Sequence, residues 1–388
     1  MYVVIGAGLA GLSAALTLQN NGLPVTVLDS ADRVGGRVAS DLIEGFILDR
    51  GFQLINFNYP EVKRLNLGGD LSYEIAPRSI KVSIDKNQFS LADPRRNPFS
   101  LFSPKTGSLT SKLSVLRYLA TTPRNGESAE SHLLRCGTGE LYQLVLKPFL
   151  QGVFLANPSQ VSAVVGREIV GSFITGKSGI PVDGVATLPR ILSERIKDIR
   201  LNTRVDSISG NQIMIQDQVL NAKKIIIATD LTTAGQILGA DEVTPLNSCT
   251  TWYHSTDISP TDSAELLVDG QQRGPVVNSI VISNLSRKYA PAGSHLISST
   301  TITHASESEV RRHLQVMWGC PTEKWRFLAK YEINSALPLF KPGYSNLGTA
   351  RWNDSIYRAG DYLTSPSQDG ALLSGRLAAE ELLFDESF

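Results

Sequence analysis

The sequence predicts a doubly wound α/β fold, built on a parallel sheet, that shares its chain with a second domain of mixed α+β structure. A short β-branched run at residues 2–5 leads into a glycine-rich turn and an Ala- and Leu-rich helix. Further apolar strands are expected at residues 25–28 and 225–229. The chain has 388 residues, and at roughly 150 residues per domain this length indicates two or three domains.

The composition excludes several classes of function. Thirty-seven basic residues balance thirty-seven acidic ones, so the chain has no electrostatic footprint for nucleic acid or an anionic membrane. No apolar run reaches the ~18 residues that span a bilayer. Met1 leads straight into a strand, so we expect no targeting segment.

The cysteines and histidines do not form a recognisable metal site. Cys136, Cys249 and Cys320 lie far apart, without a Cys-x-x-Cys pair, and the five histidines lack ligand spacing. We therefore predict no metal and no disulfide framework. Free thiols suit a reducing compartment, so we expect a cytoplasmic location, with peripheral contact to a membrane left open.

Residues 6–11 form a G-x-G-x-x-G turn between the first strand and the first helix. Gly6 permits the tight turn, Gly8 lets the backbone approach a pyrophosphate, and Gly11 lets helix and strand pack closely. Asp29, at the end of the second strand, would accept hydrogen bonds from the ribose. A glycine turn without a ligand is the alternative, but the complete strand–helix–strand unit favours a bound dinucleotide.

A second glycine motif follows at residues 32–37, which read Asp-Arg-Val-Gly-Gly-Arg. This segment resembles the flavin-binding oxidoreductases of the amine oxidase and phytoene desaturase superfamily. The resemblance places Gly36 and Arg37 near the phosphates of FAD; the alternative for Arg37 is a solvated surface arginine. Residues 48–53 resemble the next family element, where Gly51 and Phe52 pass close to the flavin.

The end of the chain resembles the C-terminal FAD element of the same superfamily. A strand is expected to end at Gly360-Asp361, followed by a capped turn and a helix. Ala371, Gly375 and Ala379 recur every four residues and form a face of small side chains, suited to close packing on a sheet or the cofactor. In the middle of the chain, residues 200–205 read as a strand, and Val205 matches the residue whose backbone contacts adenine.

The resemblance implies a glutathione-reductase-type FAD domain formed by residues 1–60, 181–245 and 346–388, with a discontinuous substrate domain at 61–180 and 246–345. It implies non-covalent FAD, because no cysteine shortly precedes the C-terminal element. The predicted cofactor-binding residues are Gly6, Gly8, Leu9, Ala10, Gly11, Asp29, Ser30, Gly36, Arg37, Gly51, Phe52, Val205, Gly360, Asp361, Gly370 and Ala371.

The resemblance also implies hydride transfer between an organic small molecule and the flavin, with no catalytic acid or base assigned. The C-terminal element looks closer to carotenoid desaturases than to monoamine oxidases, and the insertions are rich in apolar residues. Arg95-Arg96 and Arg311-Arg312 are expected to face solvent, so we expect a largely apolar substrate, such as an isoprenoid. The alternatives are an amine oxidase for a small amine and a non-catalytic prenyl-binding module of the GDP-dissociation-inhibitor type.

Two further patterns occur in the sequence. Residues 171–178 match the P-loop pattern, but the preceding run looks helical and the following residues cannot begin a helix, so we predict a loop without nucleotide. Trp252, Tyr253, His254 and Tyr331 could line a substrate pocket, although packing in the core is the more common fate of such side chains.

Overall fold

The computed structural model describes residues 1–67, 69–92, 104–240, 245–344 and 348–386. Its strands are β1 (Tyr2–Ile5), β2 (Val25–Leu28), β3 (Ser40–Ile43), β4 (Phe46–Asp49), β5 (Ile55–Asn56), β6 (Tyr73–Ile75), β7 (Ser79–Ile84), β8 (Asn87–Ala92), β9 (Ser178–Pro181), β10 (Ile199–Arg200), β11 (Ser207–Ser209), β12 (Gln212–Ile215), β13 (Gln218–Asn221), β14 (Lys224–Ile227), β15 (Leu246–Thr256), β16 (Leu266–Asp269), β17 (Val276–Val281), β18 (His295–Thr301), β19 (Arg326–Pro338) and β20 (Ile356–Arg358).

Its helices are α1 (Leu9–Asn20), α2 (Pro60–Arg64), α3 (Leu109–Ala120), α4 (Ala129–Arg135), α5 (Gly139–Leu141), α6 (Lys147–Phe154), α7 (Ala163–Thr175), α8 (Thr187–Ser193), α9 (Leu231–Leu238), α10 (Ile282–Leu285), α11 (Glu307–Trp318) and α12 (Gln368–Glu386). A π-helical stretch, Tyr142–Leu146, joins α5 to α6.

A parallel five-stranded sheet in the order β10-β2-β1-β14-β20 forms the first layer system. Helices α1, α8 and α12 share a core with one face of the sheet, and the antiparallel sheet β11-β12-β13 shares a core with the other. The strand order reverses between β1 and β14, so a crevice opens where β1 ends. The glycine-rich turn of residues 6–11 lies at that point.

Helix α12 packs against α1, which differs from the expected contact with a sheet or the cofactor. A Cβ at Gly375 would lie 1.9 Å from the carbonyl oxygen of Ala10, so the two helices meet backbone to backbone. Ser13 Oγ reinforces this contact by donating to the carbonyl oxygen of Leu372 at 2.7 Å. The small-residue face of α12 therefore serves a helix–helix contact.

A mixed seven-stranded sheet, in the order β19-β15-β18-β17-β16-β7-β8, forms the second layer system. Its strands are antiparallel except for β16 and β7. Helix α11 packs on one face, and a capping box between Ser306 and Glu309 begins it. Helices α3, α4, α6 and α7 form a separate lobe with its own core. No helix among the described residues is long and apolar enough to cross a membrane.

Two local expectations were wrong. Residues 200–205 form no strand beyond Arg200, because the chain leaves the sheet to reach the antiparallel strands. Arg311 does not face solvent: its guanidinium donates to Glu307 and to the carbonyl oxygens of Thr322 and Trp325, all at 2.8 Å or less. Arg95 and Arg96 lie outside the described residues.

Candidate functional site

Two glycines of the first turn are required by the fold itself. Gly6 has a φ of +105°, and a Cβ there would lie 2.7 Å from the carbonyl oxygen of Ala228. A Cβ at Gly11 would lie 1.8 Å from the carbonyl oxygen of Gly6. Gly8 differs, because no heavy atom lies within 4 Å of the position of its Cβ. This open space adjoins the N-terminus of α1, where backbone N–H groups favour a phosphate.

The second glycine motif lies directly against the first. Gly35 donates its N–H to the carbonyl oxygen of Ala7 at 2.8 Å, and Gly35 and Gly8 form a β-bridge. Gly36 has a φ of +57°, and the atom nearest to its Cβ position is the Cα of Gly8, at 3.5 Å. The structure thus brings Gly8 and Gly36 together from two separate motifs, as a pyrophosphate site requires.

Asp29 is held at the end of β2 by the backbone. Its carboxylate accepts from the N–H of Ala7 at 2.6 Å and from the N–H of Ala31 at 2.8 Å. Each oxygen keeps a second acceptor direction for a ribose hydroxyl. Ser30 is exposed beside it, and Val205 is nearly buried in the core that also contains Leu28.

Arg37 and Asp361 connect the glycine motif to the end of the chain. Arg37 Nη2 lies 2.6 Å from Asp361 Oδ1, and Arg37 Nη1 donates to the carbonyl oxygen of Ala336 at 2.6 Å. Burial disfavours the charged guanidinium, but the Asp361 carboxylate outweighs it and raises the pKa of Arg37. The alternative of a free, solvated Arg37 is therefore excluded.

The segment at residues 51–53 lies between the two sheets. Gly51 has a φ of +98°, and its Cβ would lie 3.0 Å from Ile333 Cδ1 on β19. Gln53 Nε2 donates to the carbonyl oxygen of Arg37 at 2.9 Å and Gln53 Oε1 accepts from Gln368 Nε2 at 3.1 Å. Gln368 Oε1 is buried without a hydrogen-bond partner among the described residues, so an acceptor remains available in this region.

Gly360 and Gly370 shape the C-terminal element. Gly360 donates its N–H to Ser374 Oγ at 2.9 Å. A Cβ at Gly370 would lie 2.0 Å from the carbonyl oxygen of Ser365, so the turn folds tightly onto the first residues of α12. Ala371 lies in the first turn of that helix. Gly360, Gly370 and Ala371 therefore border one side of the region around α1 and the glycine motifs, and Arg37 and Gln53 border the other side.

Together these residues fit a dinucleotide that carries a flavin. The space at Gly8, the adjoining Gly36, the α1 N-terminus and the unpaired Gln368 oxygen supply what such a ligand needs: room, N–H donors and a free acceptor. The sequence motifs do not point to Gln53, Gln368 or Asp49 as parts of this region. Asp49 was visible in the segment 48–53, but its burial depends on contacts with residues distant in sequence.

The aromatic residues considered for a substrate pocket are mostly part of the core. Trp252 and Tyr253 are almost completely buried; the Trp252 indole donates to Thr301 Oγ1 at 3.1 Å. His254 is buried beside Glu307. Tyr331 is half-buried, and its ring packs edge-on against Tyr253. Packing rather than substrate contact explains Trp252, Tyr253 and His254.

The P-loop pattern at residues 171–178 does not form a phosphate-binding loop. Helix α7 continues through Thr175, and β9 begins at Ser178. A P-loop requires the reverse order, with a strand before the loop and a helix after it. The predicted loop is wrong over most of this segment, because only Gly176 and Lys177 lie between α7 and β9. The order of the elements nevertheless agrees with the rejection of a P-loop.

The sequence profile of the flavin-containing amine oxidoreductases matches residues 9–383. The chain belongs to this family. The predicted resemblance is confirmed, and so is FAD as the cofactor class. At the level of the family, the prediction of an FAD-dependent oxidoreductase is also confirmed.

Characterised relatives in the family act on different substrates. Protoporphyrinogen oxidase 2 of Arabidopsis thaliana is 28% identical over 181 residues, 41% of this chain and 33% of that protein. Hydroxysqualene dehydroxylase of Sinorhizobium fredii is 23% identical over 246 residues, 58% of this chain and 59% of that protein. Polyamine oxidase 4 of Oryza sativa subsp. japonica is 28% identical over 235 residues, 53% of this chain and 45% of that protein. The chain thus matches about a third of the protoporphyrinogen oxidase.

Solved structures share the fold over the whole chain. An oxidoreductase from Methanosarcina mazei has a TM-score of 0.79 at 17% identity, covering 99% of both chains. Putrescine oxidase bound to putrescine has a TM-score of 0.73 at 16% identity, covering 99% of this chain and 98% of that one. At such identities the likeness establishes the mixed α/β fold with parallel and antiparallel sheets and no particular substrate.

Proposed function

We propose that this flavin-containing amine oxidoreductase transfers a hydride between a largely apolar organic small molecule, such as an isoprenoid, and FAD. The observation that carries the apolar substrate is the apolar lining of a narrow crevice between α6, α7 and the ends of β15 and β19. Its volume of about 10 Å³ holds about one water molecule, so α6 and α7 must move apart before a substrate can enter. Its walls include Val153, Phe154, Val165, Ile169 and Phe340. Pro366, two residues before α12, closes one side and places the crevice beside the C-terminal cofactor element.

FAD, when bound, supplies the hydride chemistry of the reaction. In our proposal the two glycine motifs and the N-terminus of α1 hold the pyrophosphate, and Asp29 binds the ribose. Arg37 and Asp361 fix the segment that follows β20 and precedes α12 relative to the second glycine motif. Once opened, the crevice would exclude water and orient the substrate between its apolar walls, which requires no acid or base.

The polarity of the crevice argues against a charged substrate. Asn247 is its polar lining side chain, and its amide already donates to the carbonyl oxygen of Phe154 at 2.9 Å. None of the lining residues that the structure describes is acidic, whereas an ammonium group would need a carboxylate or an aromatic cage. Hydroxysqualene dehydroxylase, by its name, acts on a molecule with a long hydrocarbon skeleton.

Oxidation of a small amine is the second candidate. The relatives that favour it are polyamine oxidase 4 and putrescine oxidase. The non-catalytic prenyl-binding alternative receives less support, because the family is one of oxidoreductases and both cofactor motifs are intact.

We also propose the predicted division into a FAD domain (1–60, 181–245, 346–388) and a substrate domain (61–180, 246–345). The parallel sheet covered by helices on one face and by β11-β12-β13 on the other supports the glutathione-reductase type. The described cysteines are free, which supports a cytoplasmic location. Leu109, Leu113 and Leu116 are exposed on one face of α3; any membrane contact would be peripheral and would use such a face.

Anaerobic mixing tests the proposed substrate class. The oxidised protein is mixed with polyenes, cyclic hydrocarbons and primary or secondary amines, and bleaching of the flavin band is followed. Bleaching by an apolar compound supports the proposal. Rapid bleaching by an amine, with no response to any apolar compound, would place the amine oxidase first.

A matched pair of variants tests the crevice. Val153→Phe narrows it, whereas Val164→Phe adds the same ring at a site on α7 that is 58% exposed and outside it. We expect Val153→Phe to slow reduction by the apolar substrate at unchanged FAD content, and Val164→Phe to leave the rate unchanged. Equal rates in both variants would remove the crevice from the substrate path.

A further inference from the structure

Asp49 is a buried carboxylate that the proposed chemistry does not use. It ends β4 and is 1% exposed. Ser40 Oγ donates to Oδ1 at 2.6 Å, the N–H of Val185 donates to Oδ1 at 3.1 Å, and the Tyr289 hydroxyl donates to Oδ2 at 2.8 Å. Among the residues that the structure describes, this carboxylate forms no ion pair. Burial of a charge without an ion-pair partner is costly, so these three hydrogen bonds are needed to stabilise the ionised carboxylate.

The donors come from both layer systems. Ser40 and Val185 belong to the segments beside the parallel sheet, and Ser40 Oγ also accepts from the N–H of Ala186 at 3.1 Å. Tyr289 follows α10, in the core on one face of the seven-stranded sheet. Asp49 therefore joins a turn of the proposed FAD domain to the proposed substrate domain through a single side chain.

Two more tyrosines of the seven-stranded sheet hold the same turn. Tyr253 on β15 donates its hydroxyl to the backbone carbonyl oxygen of Asp49 at 2.8 Å. The ring of Tyr331 on β19 lies 5.8 Å from the Arg50 guanidinium carbon, a distance at which a cation–π contact is favourable. We call Tyr253, Tyr289 and Tyr331 the tyrosine clamp. It fixes Asp49 and Arg50 from three different elements.

The clamped turn leads directly into residues 51–53. Gly51 lies against Ile333, and Gln53 contacts both the backbone of Arg37 and the side chain of Gln368. Movement of Asp49 would therefore move the segment that joins the second glycine motif to the C-terminal element. These are the two parts of the chain that the cofactor must meet together.

We propose that Asp49 is a positioning residue: its bonds to Tyr289 and Val185 fix the turn between the two domains and thereby determine how firmly FAD is retained. The ionised carboxylate accepts all three hydrogen bonds, whereas the protonated form must give up one acceptor site. The retention of FAD therefore falls when Asp49 is protonated.

This protonation belongs to a mildly acidic range. Burial raises the pKa of Asp49 to about 6, against the lowering effect of its donors. The groups that face it are the hydroxyls of Tyr253 and Tyr289, whose own pKa values are raised by burial and by Asp49. Behind them, Asp183 acts on Tyr289, and Asp41 and Arg50 act on Tyr331.

The test measures the dissociation constant of FAD by flavin fluorescence between pH 5 and pH 8, in protein stripped of cofactor and reloaded. For Asp49→Ala and Tyr289→Phe we expect a rise of about tenfold at pH 8, the size of effect that loss of a buried hydrogen bond produces. Wild type should bind FAD more weakly as the pH falls through about 6. Asp49→Asn, which like the protonated carboxyl keeps only one acceptor oxygen, should bind FAD at pH 8 about as weakly as wild type does below pH 6, and without this pH dependence.

Tyr142→Phe is the matched control. Tyr142 is also fully buried and donates to a carboxylate, Glu130, at 2.9 Å, but in the helical lobe. We expect no change in FAD affinity for this variant. A purely structural role for Asp49 would lower the melting temperature of the cofactor-free variants and leave their FAD affinity and its pH profile as in wild type, and that result would overturn the proposal. Substrate plays no part in this assay, so its outcome is independent of the substrate class.

Discussion

Arg37 and Asp361 are separated by 324 positions in sequence, yet their side chains meet at 2.6 Å. The carboxylate side chain is 6% exposed and the guanidinium 37%. The pair links the second glycine motif to the segment between β20 and α12. Because one partner is buried and the other only half-buried, the pair should stabilise the fold more than a surface ion pair does.

Removal of one partner should therefore destabilise the protein. We expect Arg37→Gln to lower the free energy of unfolding of the cofactor-free protein by about 1–3 kcal/mol, less than the ~3–5 kcal/mol for a fully buried pair, because water reaches the guanidinium. Urea unfolding measures this. With Asp361→Asn added, the double variant should lose less than the sum of the single losses; strict additivity would show that the pair contributes no coupling.

Substitutions at Gly8 and Gly11, both in the first glycine turn, should have different effects. Gly8→Leu should fold but remain colourless, since its side chain enters open space at the N-terminus of α1 and blocks the pyrophosphate. Gly11→Ala should fold poorly, because its Cβ would lie 1.8 Å from a backbone oxygen. Visible absorbance and thermal melts separate the two effects. A yellow, stable Gly8→Leu protein would contradict the assignment of this space to the cofactor.

The flavin should be released intact by denaturation. Cys320, the cysteine nearest to the C-terminal element, lies about forty positions before Gly360, packed against the core under α11. Cys136 and Cys249 are buried, and burial raises the pKa of the Cys249 thiol to about 11, which disfavours the reactive thiolate. Acid precipitation should leave a colourless pellet and a yellow supernatant. A yellow pellet that becomes colourless in Cys320→Ser would identify a covalent bond.

The sequence could predict those parts of the site that are specified by residues close together in the chain. Gly11 is explained by its neighbour in the turn, the carbonyl oxygen of Gly6, and Gly6 by the positive φ that the turn requires. The capping box at Ser306 is equally local. Such features are specified within a few residues, so a pattern in the sequence reveals them.

The parts that sequence could not predict depend on contacts between distant segments. The small-residue face of α12 fits a sheet, a cofactor or a helix equally well, and only the assembled core shows that α1 is its partner. Arg311 looks like a surface residue until α11 and the loop that ends at Trp325 are placed together. Asp49 is buried only because Tyr253 and Tyr289, more than 200 positions away in sequence, cover it.

The burial of His132 in the helical lobe should make the free energy of unfolding depend on pH. It is fully buried beside Tyr118, with ring centroids 4.7 Å apart, and neither ring nitrogen has a hydrogen-bond partner among the described residues. Burial lowers the pKa of His132 below its ordinary value of 6.5. Below about pH 6.5 the unfolded chain therefore binds a proton that the folded chain binds less readily. The free energy of unfolding therefore decreases as the pH is lowered, by at most about 1.4 kcal/mol per pH unit.

A variant without the titrating ring should lose this dependence. We expect His132→Phe to lose less stability than wild type between pH 7.5 and pH 5, because no proton can bind at this position, and to retain the ring contact with Tyr118. His304→Gln, at an exposed histidine, should follow wild type. Urea unfolding at several pH values measures the difference between the curves. If the His132→Phe and wild-type curves run parallel, His132 binds its proton equally well in the folded and unfolded chains, and the prediction is wrong.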